Sequence, residues 1–121
     1  GSTTVDPIGV EALGKLAEVI KANPNLNVLV EGHTDNVPLS GTGSIKDNWD
    51  LSVLRSTSVA RILQKKFGVD PNRITAGGRS EFAPKGANDN SSGRQVNRRT
   101  EIIITPRLDQ YINLMVPQSS N

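Results

Sequence analysis

Cysteine is absent from the 121 residues, and histidine, methionine, tryptophan and tyrosine occur once each. Without cysteine there is no disulfide, no thiolate zinc site and no cysteine nucleophile. A single histidine also leaves a zinc or iron site short of donors, because such metals need a third and fourth nitrogen, sulfur or carboxylate ligand. Aromatic residues amount to 3% of the chain, so the core must be aliphatic, and stacking platforms for bases or sugars are scarce. No apolar run approaches the roughly 18 residues of a membrane span, and no signal-peptide pattern opens the chain. Charge of one sign is lacking too. Fourteen basic against 12 acidic residues leave a formal +2, too balanced for a nucleic-acid binder driven by phosphate neutralisation. Specificity has to come from local sites. The length fits one domain over residues 1–121, with a core over residues 6–115 and a disordered tail at 116–121.

Asp6-Pro7 supplies an N-cap and a proline at the first helical position. Ile8, Leu13, Leu16, Ala17 and Ile20 follow at helical spacing, which predicts a helix over 7–22 that stops before Pro24. Val28-Leu29-Val30 reads as a short buried strand. The segment from Val37 to Asp47 contains Pro38, Gly41 and Gly43 and reads as a loop long enough to suspect a function. Helical periodicity returns from Asn48 to Phe67, with Leu51, Val59, Ile62 and Leu63 on one face and Gly68 as the stop. Asp70-Pro71-Asn72 turns the chain into a strand over Ile74 to Ala76, which Gly77-Gly78 should end or bulge. A second loop is expected from Ser80 to Gln95, then a strand from Thr100 to Thr105 closed by Pro106. Leu108, Tyr111, Ile112 and Met115 suggest a short C-terminal amphipathic helix. Helix, strand, helix, strand, strand, helix describes a small α/β sandwich with helices packed on a thin sheet.

One residue interrupts the apolar stripe of the second helix. Arg55 falls one turn after Leu51 and one before Val59, while Asp35 lies just beyond the Val28–Val30 strand. Packing in an α/β unit sets a strand's end near the first turns of the following helix, so the two side chains face each other. Two readings stand. One is a structural ion pair closing the loop; the other is a zwitterion clamp, in which the arginine fork takes a carboxylate and the aspartate accepts from an ammonium. His33 reads as a hydrogen-bonded residue that organises the turn. No G-x-S-x-G elbow accompanies the serines, so nothing points to nucleophilic catalysis, and the expectation is a binding protein with no metal and no cofactor. Arg94, Arg98 and Arg99 fall within six positions. They read as a phosphate patch, as a solvated strand entrance, or, for Arg98 together with Asn97, as part of the cleft around Asp35.

Four segments, VLVEGHTDN, NWDLSVLR, RITAGGRSEFAP and GRQVNRRTEIIIT, stand in the order and approximate spacing of the OmpA-like C-terminal domain. The chain resembles that family over residues 6–105. The family is the peptidoglycan-binding module of OmpA, of the flagellar stator protein MotB and of the lipoprotein Pal. The long interval between GHTDNVP and NWDLS is closer to the MotB-like branch. The resemblance implies a β-α-β-α-β-β sandwich with helices on one face of a mixed sheet. Against that pattern the first strand is missing or reduced to Gly1–Thr4, and the short C-terminal helix is extra. An edge stripped of its neighbour invites pairing with another chain, which leaves a homodimer as an open alternative.

For the site, the resemblance implies that Asp35 and Arg55 grip the free ammonium and carboxylate of diaminopimelate in the peptidoglycan stem peptide. Thr34, Asn48, Asn97 and Arg98 become supporting donors and acceptors, and Leu51 packs beneath the ligand. The implied partner is peptidoglycan, with no nucleic acid. The implied location is periplasmic, attached to the outer membrane or cell envelope through an N-terminal region outside these residues. The alternative is a structural or protein-interaction module of the same fold without peptidoglycan binding.

Overall fold

The computed structural model describes residues 7–39, 43 and 45–106. The elements run α1 (Pro7–Ala22), β1 (Leu26–Gly32), α2 (Asn48–Arg61), β2 (Ile74–Gly78), α3 (Ser91–Asn97) and β3 (Thr100–Pro106). They form a mixed α/β layer structure. The sheet order is β2-β1-β3, with β1 parallel to β2 and antiparallel to β3. Parallel pairing of β1 with β2 requires a crossover, which α2 supplies.

β1 alternates as a half-buried strand must. Val28 and Val30 point into the core, where they meet Leu13, Ala17 and Ile20 of α1 with Val59, Leu63 and Val69. Leu29 lies on the opposite face and pairs with Ile103 across the antiparallel ladder. α1 ends at Ala22, as the Asn23-Pro24 pair predicts. Its terminal carbonyls are closed by a residue from far along the chain. The Arg73 guanidinium donates to the carbonyls of Ile20 at 2.6 Å, Asn23 at 2.7 Å and Leu26 at 2.9 Å. A cation at that helix end also opposes the partial negative charge of the helix dipole.

α2 begins where Asp47 caps it, its carboxylate accepting from the Asp50 N–H at 2.9 Å. The helix continues as a π-helical turn over Ile62–Lys66 and stops at Gly68, whose φ of 71° is the left-handed conformation glycine adopts without strain. Two expectations need correction. β2 runs through Gly77 and Gly78, which pair with Glu31 and Gly32, so the strand ends at the second glycine and not at Ala76. The Ser80–Gln95 segment is not all loop: Asn90 caps α3 by accepting from the Gly93 N–H at 2.7 Å. The sequence hid this helix because it is short and polar, and it holds Gly93 at a point where any Cβ would collide with the backbone of Ala87. Any remnant of a first strand at Gly1–Thr4, the expected C-terminal helix over Leu108–Met115 and the tail lie outside the described residues.

Candidate functional site: a charged hollow at the strand ends

The site begins with two glycines. Gly32 and Gly78 are paired on β1 and β2 and face α2. A Cβ on Gly32 would run into the carbonyl of Ser52 and press on the stem of Arg55; one on Gly78 would run into the Ser52 hydroxyl and Val53. The facing helix residues are small as well, Ser52 and Ser56 being fully buried. Glycine against serine lets α2 approach the sheet closely at the C-terminal ends of its parallel strands. Arg55, three residues after Ser52, is thereby held over the end of β1.

The chain leaving β1 is pinned at each step. The His33 N–H donates to the Arg99 carbonyl at 2.8 Å, and the Thr34 N–H donates to the Ser80 carbonyl at 2.9 Å. The Thr34 hydroxyl donates to the Asp35 carbonyl at 2.8 Å. The Asp35 carboxylate accepts from the Val37 N–H at 3.0 Å through Oδ1 and from Arg98 Nη1 at 2.6 Å through Oδ2. Asn48, at the first position of α2, donates its amide to the carbonyls of Asp35 and Val37 and to Glu81 Oε2. It ties the β1 exit, the long loop and the β2 exit together.

These contacts surround a hollow of about 340 Å³ lined by Thr34, Asp35, Val37, Leu39, Asn48, Leu51, Arg55 and Arg98. Ligand pockets commonly span roughly 300–1,000 Å³. Six of the seven residues expected at the site therefore meet in one place. The seventh, Asn97, does not. It is fully buried, accepts from the N–H groups of Lys85 and Gly86, and donates to the Gly86 carbonyl and Asn88 Oδ1. Its amide satisfies the backbone of the loop before α3, so its side chain is committed away from the hollow.

Of the two readings for Asp35 and Arg55, the structural ion pair is not the one the fold makes. Asp35 pairs with Arg98, and Arg55 makes no hydrogen bond or ion pair among the described residues. Its Nε is buried without a partner. Burial, and then the neighbouring Arg98 charge, pull the Arg55 guanidinium below its ordinary range, while Asp35 acts in the opposite direction. One carboxylate thus stands near two guanidinium groups and pairs with only one of them. The excess positive charge and the unmet donor make the hollow a receptor for an anion, above all a planar one that takes two parallel hydrogen bonds. Arg98 was one of three arginines in its segment, singled out by the family resemblance, and the fold commits the other two elsewhere: Arg94 donates to the Asn88 carbonyl and Arg99 to Glu101 and the Ala83 carbonyl.

His33 is 2% exposed, with Nε2 at 3.1 Å from Glu31 Oε1. Desolvation, then the Arg99 charge, lowers its pKa from 6.5. Glu31, His33 and Glu101 place ligand atoms within 4.8 Å of one another. The two carboxylates are already matched by cations, Glu31 by Arg79 and Glu101 by Lys85 and Arg99. The cluster reads as an ion-pair network that carries a buried imidazole, in keeping with a histidine that organises the turn.

The OmpA family model matches residues 1–99. The chain belongs to the OmpA family. Among its relatives is Motility protein B of Bacillus subtilis, 32% identical over 107 residues, an alignment spanning 88% of this chain and 41% of the relative. The Peptidoglycan-binding protein ArfA of Mycobacterium bovis is 36% identical over 98 residues, spanning 81% of this chain and 28% of that protein. The fold matches the crystal structure of the C-terminal domain of Helicobacter pylori MotB with a TM-score of 0.80 at 25% identity, covering 89% of this chain and 81% of that one. The chain thus spans less than half the length of these two relatives. This OmpA-family chain has no helix among the described residues long and apolar enough to cross a membrane.

Proposed function

We propose that this OmpA-family chain is a non-covalent peptidoglycan-binding module that grips the free end of diaminopimelate in the stem peptide. The family match and a relative named for peptidoglycan binding support association with that polymer in general. The observation that carries the finer reading is the pairing of an uncommitted Arg55 with a rigidly held Asp35 in one hollow.

An uncrosslinked diaminopimelate presents an α-carboxylate and an α-ammonium on one carbon. Arg55 takes the carboxylate with two N–H donors, Arg98 adds its charge, and Asp35 accepts from the ammonium while keeping its contact to the Val37 N–H. Leu51 and Leu39 line the hollow beside the aliphatic arm of the ligand. Lysine-type stem peptides lack the second carboxylate, so Arg55 would remain buried and unpaired; that penalty supplies discrimination. Each charge-assisted hydrogen bond contributes roughly 1.5–3 kcal/mol net, which after the cost of association gives a micromolar to millimolar grip on one stem. Repetition along the wall converts weak single contacts into firm anchoring. No bond is made or broken. A periplasmic, envelope-attached placement and one domain spanning residues 1–121 belong to the same reading.

The test is calorimetric titration with free diaminopimelate and with muropeptides of the diaminopimelate and lysine types. Binding of the first two and not the third is expected. Equal affinity for both muropeptide types would remove the carboxylate clamp and leave the fold as an interaction module.

A further inference from the structure

We propose that His33 is a positioning residue for the clamp, and that its neutral imidazole and the bound zwitterion support each other, so that ligand binding expels a proton from the protein; this regulation rests on the peptidoglycan reading above. The His33 N–H donates to the Arg99 carbonyl at 2.8 Å, which joins the exit of β1 to the entrance of β3. Asp35 lies two residues after His33, and Arg98 one residue before Arg99. These two form the 2.6 Å ion pair at the hollow. Whatever shifts His33 against Arg99 therefore shifts both halves of that pair.

The imidazole is surrounded by charges from several elements. Glu31 of β1 places Oε1 3.1 Å from Nε2, and Glu101 of β3 places Oε2 3.9 Å from it. Arg79, just after β2, reaches Glu31 at 3.9 Å; Lys85, in the loop before α3, reaches Glu101 at 3.6 Å, and Arg99 donates to Glu101 as well. Among the described residues, two carboxylates thus face three cations before the histidine takes up any charge. Acceptors are short too. Nε2 has Glu31, but Nδ1 is buried with no partner among the described residues, and so is Arg99 Nη1. A second ring proton would be a buried donor with nothing to receive it, in a cluster that already has excess positive charge. With His33 2% exposed, water reaches that proton only if the β1 exit opens. Burial first, and then the Arg99 charge, accordingly hold the imidazole below its ordinary 6.5.

Opening is what a clamped ligand forbids. A zwitterion held between Arg55 and Asp35 fixes the segment from Thr34 to Val37, which the Thr34 bond to the Ser80 carbonyl and the Val37 bond to Asp35 already restrain. Protonation loosens this segment and the ligand fixes it, so each weakens the other by the same factor. Neutral His33 therefore belongs to the bound form. Affinity is full well above the midpoint of the ring in the free protein and falls as pH drops through it, by at most about tenfold per pH unit for one proton. Histidine is the side chain whose ordinary pKa lies between pH 5 and 8, and the chain has one and no cysteine. The α-carboxylate and α-ammonium of the ligand stay ionised between about pH 5 and 7.

Two measurements on the wild-type chain test the coupling. An NMR titration of the free protein follows the His33 ring together with the backbone amides of Thr34 and Asp35, which should shift with the midpoint of the ring. Calorimetry with free diaminopimelate at that midpoint, in two buffers of different ionisation enthalpy, should show protons released on binding. Affinity one pH unit below the midpoint should be about five- to tenfold weaker than at pH 7.5. His33→Gln, which keeps a donor for Glu31, should bind at pH 7.5 and lose the pH dependence, whereas a merely structural role would lower affinity by one factor at every pH. The wild-type measurements decide the matter even if that variant fails to fold. The coupling is overturned if the ring takes up no proton while the fold persists, if the Thr34 and Asp35 amides ignore its midpoint, or if binding moves no protons there. Amides that follow the ring in a protein that binds diaminopimelate at no pH would sink the clamp reading and leave His33 as the residue that positions the β1 exit.

Discussion

Asp35 Oδ2 lies 2.6 Å from Arg98 Nη1, and this pairing leaves Arg55 without an ion pair among the described residues. Arg98 approaches from the turn after α3, with its side chain 38% exposed, and holds the carboxylate in place from the solvent side. Arg55 approaches from α2 along the apolar stripe and stays partly buried without an anion. The hollow is pre-formed and carries more positive than negative charge; in the proposed function a zwitterion completes it.

A partly buried cation with no ion pair among the described residues costs folding stability. Arg55→Met is expected to hold or increase folding stability, by at most roughly 2 kcal/mol, while weakening diaminopimelate binding roughly a hundredfold. Urea denaturation and calorimetry measure the two effects. A variant that is clearly less stable would show that Arg55 has a structural partner after all.

The close approach of α2 to the sheet predicts unequal effects at neighbouring glycines. Gly32→Ala must push against the Ser52 carbonyl, which belongs to the helix backbone and cannot rotate away. A loss of roughly 1–3 kcal/mol is expected, with displacement of Arg55 and weakened ligand binding. A Cβ on Gly77 meets nothing within 4 Å, so Gly77→Ala should be neutral, or stabilising by about 0.4–1 kcal/mol through the unfolded chain. Similar denaturation midpoints for the two variants would contradict the packing argument.

Acid should weaken the fold in two separate windows. Burial depresses the His33 pKa below 6.5, so the unfolded chain takes up a proton that the folded one resists. That contribution is complete above 6.5 and is lost as pH falls below it. The hydrogen bond from Arg99, opposed by desolvation, lowers the Glu101 carboxyl from 4.5, so its contribution is present above 4.5 and is lost as pH falls further. Thermal melts from pH 8 to 3 should show both slopes, and His33→Gln should remove only the upper one. His33 is the sole histidine, so an upper slope that persists in that variant would rule out this assignment.

Much of the architecture was legible because it depends on local rules. The helix start at Pro7, the stop before Pro24, the left-handed Gly68 and the alternation of β1 all follow from backbone geometry and period, and the structure places its elements accordingly. Where the readings failed, a long-range contact outweighed a local preference. Gly77-Gly78 looked like a strand terminator because glycine lacks a side chain to pack; in the fold that lack is what admits Ser52 and Val53 to Gly78. Ser52 and Ser56 carry no apolar signal, yet both are fully buried, and Ser52 sits against the glycines of β1 and β2.

The sequence by itself determined which groups the site holds: an aspartate after a strand, an arginine on an apolar helical stripe, and an asparagine opening that helix. Periodicity and strand-to-helix order put them at one end of the sheet. Only the tertiary structure decided the partnerships. Asp35 and Arg98 are separated by 63 positions, and nothing local distinguishes Arg98 from Arg94 and Arg99, or an amide aimed at a ligand from Asn97 holding its own loop. Charge pairing is settled by distance in space, and distance in space is set by how glycine and serine let α2 settle on β1 and β2.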